Sequence, residues 1–183
     1  MNLGEIISSA LDILSRSHDA NTIEEFRAQF TYSANNAMMQ IARRFKQSRK
    51  ETVALTNKTF STSQLARQCI RIDNVYDSDG VISFNQDIPG SGSFVCDTTD
   101  SEVTVVYKFF PNDMLSLSDI PDVPAYTHNI IPLYIVACHR AGAGDGDTQE
   151  SASVYFSLFN ARLRDLIHNS HRSEPNSYKL LNY

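Results

Sequence analysis

The sequence predicts an α+β protein: a helical bundle, made of two N-terminal helices and a C-terminal helical hairpin, with an inserted small antiparallel β-sandwich or barrel. Apolar residues recur every three or four positions near both ends of the chain, which is typical of amphipathic helices. Between these regions they alternate with polar residues, as in half-buried strands. No flexible linker separates the two patterns. We therefore predict one domain over residues 1–183, with helical parts at 1–50 and 120–171, a β insertion at 51–111 and an extended C-terminal tail at 172–183.

The composition is that of a soluble globular protein, with 42% apolar and 20% charged residues among 183. The net charge of −5 disfavours sequence-independent binding of nucleic acid by the whole surface, because such binding needs many clustered lysines and arginines. Cys69, Cys96 and Cys138 are odd in number and scattered, so we expect buried thiols in a reducing compartment. The first residues lack the pattern of a signal peptide, and no segment approaches membrane-spanning length.

Two helices are predicted before the β region. Apolar residues from Leu3 to Leu14 trace one face of the first helix, and Thr22 with Glu25 forms a capping box that opens the second. The apolar face of the second helix keeps helical period over about six turns and comprises Ile23, Phe26, Phe30, Ala34, Ala37, Met38, Ile41 and Phe45. These two faces exceed what a small helical hairpin covers, which favours contacts between protomers.

The last turns of the predicted second helix carry five cations, Arg43, Arg44, Lys46, Arg49 and Lys50. One interpretation is that they complement the negative end of the helix dipole in solvent. The other is that they form a binding patch for phosphate or for an acidic partner surface.

The alternating region predicts about five short strands, around Val53 and Leu55, Ile70 to Val75, Val81 to Phe84, Phe94 to Cys96, and Val103 to Phe109. Asp79 and Gly80 suit a tight hairpin turn, and the run from Pro89 to Gly92 suits a looser one. The three consecutive residues from Val105 to Tyr107 predict a strand that is buried on both faces.

A helical hairpin is predicted between residues 120 and 171. The first helix of the hairpin offers an apolar face made of Ile130, Ile131, Tyr134, Ala137, Cys138 and Ala141. The second helix offers a matching stripe of Ala152, Tyr155, Phe156, Phe159, Leu163, Leu166 and Ile167. Three glycines separate the helices, and Asp147 with Glu150 caps the second. Pro132 fits the first turn of the first helix, with Thr127 or Asn129 as its cap.

Residues suited to catalysis do not form a recognisable set. The chain has none of the sequence motifs of a nucleophile elbow, a phosphate loop or a zinc protease. His168 and His171 are three residues apart but lack a third ligand nearby, and neighbouring Cys138 and His139 diverge by about 100° on a helix. We therefore predict no metal, no cofactor and no enzymatic activity.

The C-terminal tail combines two tyrosines and two leucines, Tyr178, Leu180, Leu181 and Tyr183, with Lys179 between them. Exposing so much apolar surface to water is unfavourable. The tail either folds back on its own protomer or extends and docks on another chain, for example as an added strand.

The order of these elements resembles the head–tail adaptor, or connector, proteins of the neck of tailed bacteriophages. The resemblance covers the architecture of nearly the whole chain. It is carried by the strand ending in Tyr107–Pro111, the proline-containing approach Ile120–Pro124, and the paired helices that contain Ile130–Tyr134 and Tyr155–Phe159.

This resemblance implies a structural virion protein, made in the host cytoplasm, that forms a homo-oligomeric ring of usually twelve subunits beneath the portal protein. The ring extends the DNA channel toward a further neck or tail protein, without sequence-specific DNA binding and without a membrane. It implies that Tyr178, Lys179, Leu180, Leu181 and Tyr183 dock on the portal. Because the lumen has to let DNA slide, the five cations Arg43, Arg44, Lys46, Arg49 and Lys50 are expected outside it or at a subunit boundary. The alternative is a monomeric binding module whose β unit recognises a ligand or receptor.

Overall fold

The computed structural model describes residues 1–45, 47–143 and 146–172, the last range without the side chains of 146–149 and 170–172. It has four α-helices, namely α1 (Leu3–Ile13), α2 (Ala20–Phe45), α3 (Ile131–Ala141) and α4 (Gly146–Arg172). Its seven strands are β1 (Ser48–Ala54), β2 (Thr59–Ser61), β3 (Cys69–Tyr76), β4 (Val81–Ile82), β5 (Phe84–Gln86), β6 (Ser93–Cys96) and β7 (Glu102–Phe109). The α+β class predicted from the sequence is confirmed.

The chain divides into two compact units. The helical unit contains Met1–Arg44 and the chain from Met114 onward, and the β unit is Phe45–Asp113. That the helical unit and the β unit together form one domain is not tested by this division and stays a prediction.

Helix α1 begins with a reciprocal cap. The Asn2 side chain accepts from the Glu5 amide at 2.9 Å, and the Glu5 carboxylate accepts from the Asn2 amide at 3.0 Å. The amides of Leu3 and Gly4 donate to carbonyls of the segment before α3, at Asp119 and Leu117. The predicted apolar face is buried within the chain from Leu3 to Leu11, so α1 needs no second protomer to cover it.

Helix α2 begins at Ala20, three residues earlier than the predicted cap at Thr22 implies. Asp19 is the capping residue, because its Oδ1 accepts from the amides of Asn21 and Thr22, both at 3.0 Å. The predicted Thr22–Glu25 capping box is therefore wrong: the Thr22 hydroxyl donates to Asp19 instead, at 3.1 Å. The apolar face from Phe26 to Ile41 is buried, as for α1.

Strand β1 replaces what the sequence suggested were the last turns of α2. The helix ends at Phe45, and Arg49 and Lys50 lie in β1, which pairs with β7 from Ser48↔Lys108 to Ala54↔Glu102. Its first three residues, Ser48, Arg49 and Lys50, are polar and exposed, so its first half lacks the apolar alternation that marks a half-buried strand.

The strands of the β unit form two antiparallel sheets, with strand orders β1-β7-β3-β4 and β2-β6-β5. Neither sheet closes into a barrel among the described strands. Side chains of both sheets contribute to one buried cluster, made of Val53, Phe60, Leu65, Ile72, Val75, Cys96, Val103, Val105 and Tyr107. Central strand β7 is buried on one face only, with Val103, Val105 and Tyr107 inward and Thr104 and Val106 half-exposed, so the prediction that it is buried on both faces is wrong.

Both predicted turns are confirmed. Strands β3 and β4 are joined by a turn in which the Asp77 carboxylate accepts from the amides of Asp79 (2.9 Å) and Gly80 (3.1 Å). Gly80 has φ +138°, a conformation that side-chain-bearing residues rarely adopt. The looser loop containing Pro89 joins the antiparallel strands β5 and β6.

Helices α3 and α4 form the predicted hairpin. A 3₁₀ segment, Ala125–Ile130, leads directly into α3, so Pro132 lies in the first turn as expected, but Ile130 is the cap residue and makes no side-chain capping bond. The predicted caps, Thr127 or Asn129, are both wrong because Ile130 holds the cap position; the Thr127 hydroxyl donates to the Pro124 carbonyl at 2.7 Å instead.

Helix α3 is buried around most of its circumference, which is wider than the predicted stripe, since Leu133, Ile135 and Val136 are also buried while Ala141 is exposed. On α4 the predicted stripe is buried at Ala152, Phe159 and Leu163, and half-buried at its other positions. The Tyr134 ring packs edge-on against Phe156 and Phe159, at centroid distances of 5.5 and 5.1 Å. The predicted cap at Asp147 lies outside the described side chains.

Candidate interaction surfaces

The five predicted cations do not share one helix end. Arg43 and Arg44 are exposed in the last turn of α2, in the helical unit, although Arg44 lies at its border with the β unit. Arg49 and Lys50 lie on strand β1. Lys46 lies outside the described residues.

The cations of β1 already have partners within the β unit. Arg49 forms an ion pair with Glu51, and the Lys50 ammonium lies 5.7 Å from the centre of the Tyr76 ring. Partial burial raises the pKa of the Glu51 carboxyl. The Ala66 amide, the Tyr107 hydroxyl and Arg49 outweigh that effect and lower the pKa overall. The side chains of Arg49 and Lys50 therefore contact neighbouring residues of their own sheet.

A second charged group lies on the same sheet. Asp73 accepts from Arg71 at 2.8 and 3.0 Å and lies 3.3 Å from the Lys108 ammonium. Burial raises the pKa of Asp73, but hydrogen bonds and charge from Arg71 and Lys108 outweigh it and lower the pKa. These cations are neutralised locally and leave little positive charge for a phosphate backbone.

The helical unit contains a basic cleft, which we define by its four lining residues, Arg44, Ser157, Asn160 and Arg164. Its volume is about 430 Å³. Arg44 comes from the end of α2, and the other three share one face of α4 because they are spaced three and four residues apart. Within the described part of the chain, neither arginine has an ion-pair partner.

Of these four residues, the sequence pattern indicates only Arg44, and the three residues of α4 are not predicted by it. The signal was present, since Ser157, Asn160 and Arg164 run beside the apolar stripe with the same helical period. Arg164 was overlooked because it stands between Leu163 and Asp165 in a helix of mixed charge, where a single cation is ordinary.

Exposed apolar side chains form a further surface feature of the helical unit. Tyr32 on α2 is 71% exposed, Leu115 and Ile120 before α3 are 78% and 69% exposed, and Val154 on α4 is 60% exposed. Single exposed apolar residues are common. Among the described residues of this unit, however, seven large ones are exposed, the other three being Met1, Tyr126 and Leu158, and they offer surface to partners. They differ from the apolar faces of α1 and α2, which the sequence suggested would need other protomers and which the chain itself buries.

Cys138 and His139 are not paired as a nucleophile and its base. His139 packs against Phe26 and Phe30, at centroid distances of 5.4 and 5.6 Å. Burial, followed by the nearby Arg16 and Arg140, lowers its pKa. Cys138 contacts Ser33 and Tyr134 instead, and burial raises the pKa of its thiol. All three cysteines are free thiols.

The described residues contain no group of three or more His, Cys, Asp or Glu side chains that could hold a metal ion. His168 is exposed, and the side chain of His171 is not described. Likewise, none of the described helices combines the length and apolar character required to cross a membrane.

No family model matches this chain, and no curated protein matches it either.

The β unit has a cavity of its own, of about 350 Å³. Its lining is mostly hydroxyl and amide groups and consists of Thr56, Thr59, Phe60, Ser61, Gln64 and Ser93. Such a lining offers hydrogen bonds to a small polar ligand.

The predicted docking tail, Tyr178, Lys179, Leu180, Leu181 and Tyr183, lies outside the described residues. Its role stays a prediction.

Proposed function

We propose that this chain is a structural subunit of the head–tail adaptor of a tailed bacteriophage. In this proposal it forms a ring of about twelve copies in the neck of the virion, docks beneath the portal protein and extends the DNA channel toward a further neck or tail protein. It has no catalytic role and binds no cofactor.

The observation that carries the proposal is the order of elements. Two N-terminal helices, a β region, a proline-containing approach and a helical hairpin succeed one another in the described chain, and this is the order on which the resemblance to the adaptor family rests. The exposed apolar side chains of the helical unit add support, because a ring subunit has neighbours on two sides.

The finer architecture belongs to the same proposal. We take the four helices as a bundle and the β unit as a small sandwich inserted between α2 and α3. The sandwich is supported by the single buried cluster to which both sheets contribute, since facing sheets share a core in this way.

Mass measurement and electron microscopy with the cognate portal protein test the proposal. The expected result is a ring of defined copy number attached to one end of the portal. A chain that stays monomeric in the presence of assembled portal, with no added density in micrographs, contradicts it.

The alternative proposal is a monomeric binding module that uses the β unit. The hydroxyl-lined cavity beside Phe60 is the observation in its favour. In that case the protein stays monomeric, and a small polar ligand shifts the NMR signals of Thr59, Ser61 and Ser93 while those of α4 do not change. Ring formation on the portal without any such ligand favours the adaptor proposal.

A further inference from the structure

The charges of α2 are separated between its two ends. Glu24 and Glu25 lie near its start and Arg43 and Arg44 in its last turn, whereas Ala28 to Ala42 contains no charged residue. Glu25 and Arg44 are roughly 28 Å apart along the helix, at 1.5 Å per residue. Helix α2 thus carries its acidic residues near the start and its basic residues in the last turn.

Complementing the helix dipole accounts for Arg43 and Arg44 in the last turn of α2, whereas the first turn of α2 contains no acidic residue. It does not account for the basic cleft, because Arg164, Ser157 and Asn160 come from the middle of α4, where the dipole of that helix favours neither sign. Two guanidinium groups without ion-pair partners among the described residues therefore border one concave surface, and none of its four lining residues is acidic.

The chemistry of the cleft suits a carboxylate. Guanidinium groups bind carboxylate oxygens through paired N–H donors, and the Ser157 hydroxyl offers another donor. The Asn160 amide nitrogen donates one N–H to the Phe156 carbonyl at 2.9 Å and keeps a second N–H that can be donated to a carboxylate. The phosphate backbone of a nucleic acid is the competing ligand, but the net charge of −5 on the protein opposes its approach.

Suitable carboxylates lie at the other end of the same unit. Glu25 is exposed and has no partner among the described residues, while Glu24 makes only an exposed pair with Arg27 at 3.3 Å. Exposed pairs of this kind contribute little and are easily exchanged.

We infer that the acidic start of α2 in one copy of this chain, Glu24 and Glu25, docks into the basic cleft of the next copy, formed by Arg44, Ser157, Asn160 and Arg164. The contact joins two different surfaces, so it repeats from copy to copy and closes into a ring when the rotation allows. This inference rests on the proposed ring and names the residues of its subunit boundary.

Charge reversal tests the contact in the full-length chain. Self-association of R164E and of E25R is measured by sedimentation velocity over a range of concentration and salt. The matched controls are R162E, which reverses an exposed charge on another side of α4, and E150R, which reverses an exposed carboxylate near the start of α4. We expect R164E and E25R each to weaken association at least about tenfold, because like charges then face each other. The controls should stay close to wild type.

The mixture of R164E and E25R is the decisive sample. Each variant keeps one intact surface, and the two reversed surfaces attract each other, so the mixture should associate in alternation although neither variant does alone. Equal weakening by R164E and R162E, or a mixture no stronger than its components, overturns the inference. Loss of duplex DNA binding in R164E with unchanged self-association also overturns it and makes the cleft a phosphate site.

The inference and the proposed function fail in different ways. Rings on the portal that are indifferent to R164E and E25R reject this contact and leave the adaptor function standing. A wild-type chain that forms no ring with or without portal rejects both.

Discussion

The His139 imidazole packs edge-on against the Phe26 and Phe30 rings, which also contact each other. Its Nδ1 is buried and has no hydrogen-bond partner among the described residues, and Arg16 and Arg140 add to the burial in lowering its pKa. In the unfolded chain the pKa returns to its usual value near 6.5. Protonation therefore favours the unfolded state between that value and the lower pKa of the folded protein.

The expected outcome is a loss of stability as the pH falls below about 6.5. This loss is measured by thermal or chemical unfolding between pH 8 and pH 5. A His139→Gln variant serves as the comparison, because it cannot titrate there and should show a flatter profile. Parallel profiles of the two proteins contradict this account of His139.

The Asp19 carboxylate at the start of α2 accepts four hydrogen bonds, from the Ser17 hydroxyl, the Asn21 and Thr22 amides and the Thr22 hydroxyl. These bonds lower the pKa of Asp19 to about 2, and the bond from Ser17 has the largest effect. Asp19→Ala leaves the amides of Asn21 and Thr22 without an acceptor and should lower Tm by a few degrees at neutral pH. Asn at this position retains an acceptor and should lose less.

Acid removes the contribution of this cap. It is fully present above about pH 3.8, the usual pKa of the carboxyl, and is lost as the pH falls toward about 2. The control is Glu25→Ala, which removes the carboxylate of the capping box that the sequence predicted. A larger fall in Tm for Glu25→Ala than for Asp19→Ala would contradict the cap at Asp19 and support the predicted Thr22–Glu25 capping box.

At the scale of elements, the buried face of α4 holds the helical hairpin together. Phe159 is 2% exposed and packs against Tyr134, so Phe159→Ala should reduce the free energy of unfolding by about 3–5 kcal/mol. Val154 lies on the outer side of the same helix, and Val154→Ala should change it by less than about 0.5 kcal/mol. Denaturant titration measures both. Comparable losses in the two variants contradict the assignment of faces.

The tail tests the proposed docking on the portal. We expect Tyr178 to Tyr183 to extend from α4 and insert between or alongside portal subunits, with Arg172 and Lys179 near acidic partner groups. Deleting residues 175–183 should abolish portal binding and leave Tm unchanged. Because weak contacts repeated around a ring add up, loss of the tail from every copy should have a large effect.

Two other outcomes of the deletion are informative. Unchanged portal binding rejects the docking role of the tail. A large fall in Tm of the isolated protein instead supports the interpretation that the tail folds back on its own protomer.

Elements with a strong repeat could be predicted from the sequence, whereas their ends and the shortest strands could not. The faces of α1, α2 and α4 follow from apolar spacing because burial selects one side of a helix. Strand β2 has only three residues and shows no period to detect. The caps at Asp19 and Ile130 depend on the path of the preceding chain, which local propensity does not fix.

The basic cleft shows a similar limit. Arg44 attracted attention because it belongs to a run of cations, but that run divides between α2 and β1. Arg164 joins Arg44 only through tertiary packing of α2 near α4. Sequence spacing therefore predicted the apolar face of α4 but not the polar face that lies opposite Arg44.

For the whole molecule, the charge distribution predicts weak interaction with DNA. Three cations of the first sheet, Arg49, Arg71 and Lys108, are paired with Glu51 or Asp73, and the chain carries a net charge of −5. Fluorescence anisotropy with duplex DNA at about 0.15 M salt, near the physiological value, should show no saturable binding. Tight, salt-sensitive binding contradicts this prediction.

The lumen of the proposed ring provides a second test at this scale. Acidic and polar side chains should face the DNA, because a basic lining would hold the phosphates. A ring structure in which Arg43, Arg44, Lys46, Arg49 and Lys50 circle the pore refutes this and favours a DNA grip.

The first and last strands of the β unit are neighbours, with Ser48 opposite Lys108 at one end of their ladder. Paired residues of antiparallel strands lie about 5 Å apart, so the polypeptide leaves this unit almost where it entered. A region with such closely spaced ends behaves as a cassette: it can be excised and bridged by a few residues, or exchanged for another domain, with little strain on the rest of the chain. Insertion and loss of domains at this point then become an accessible route for evolution and for protein engineering.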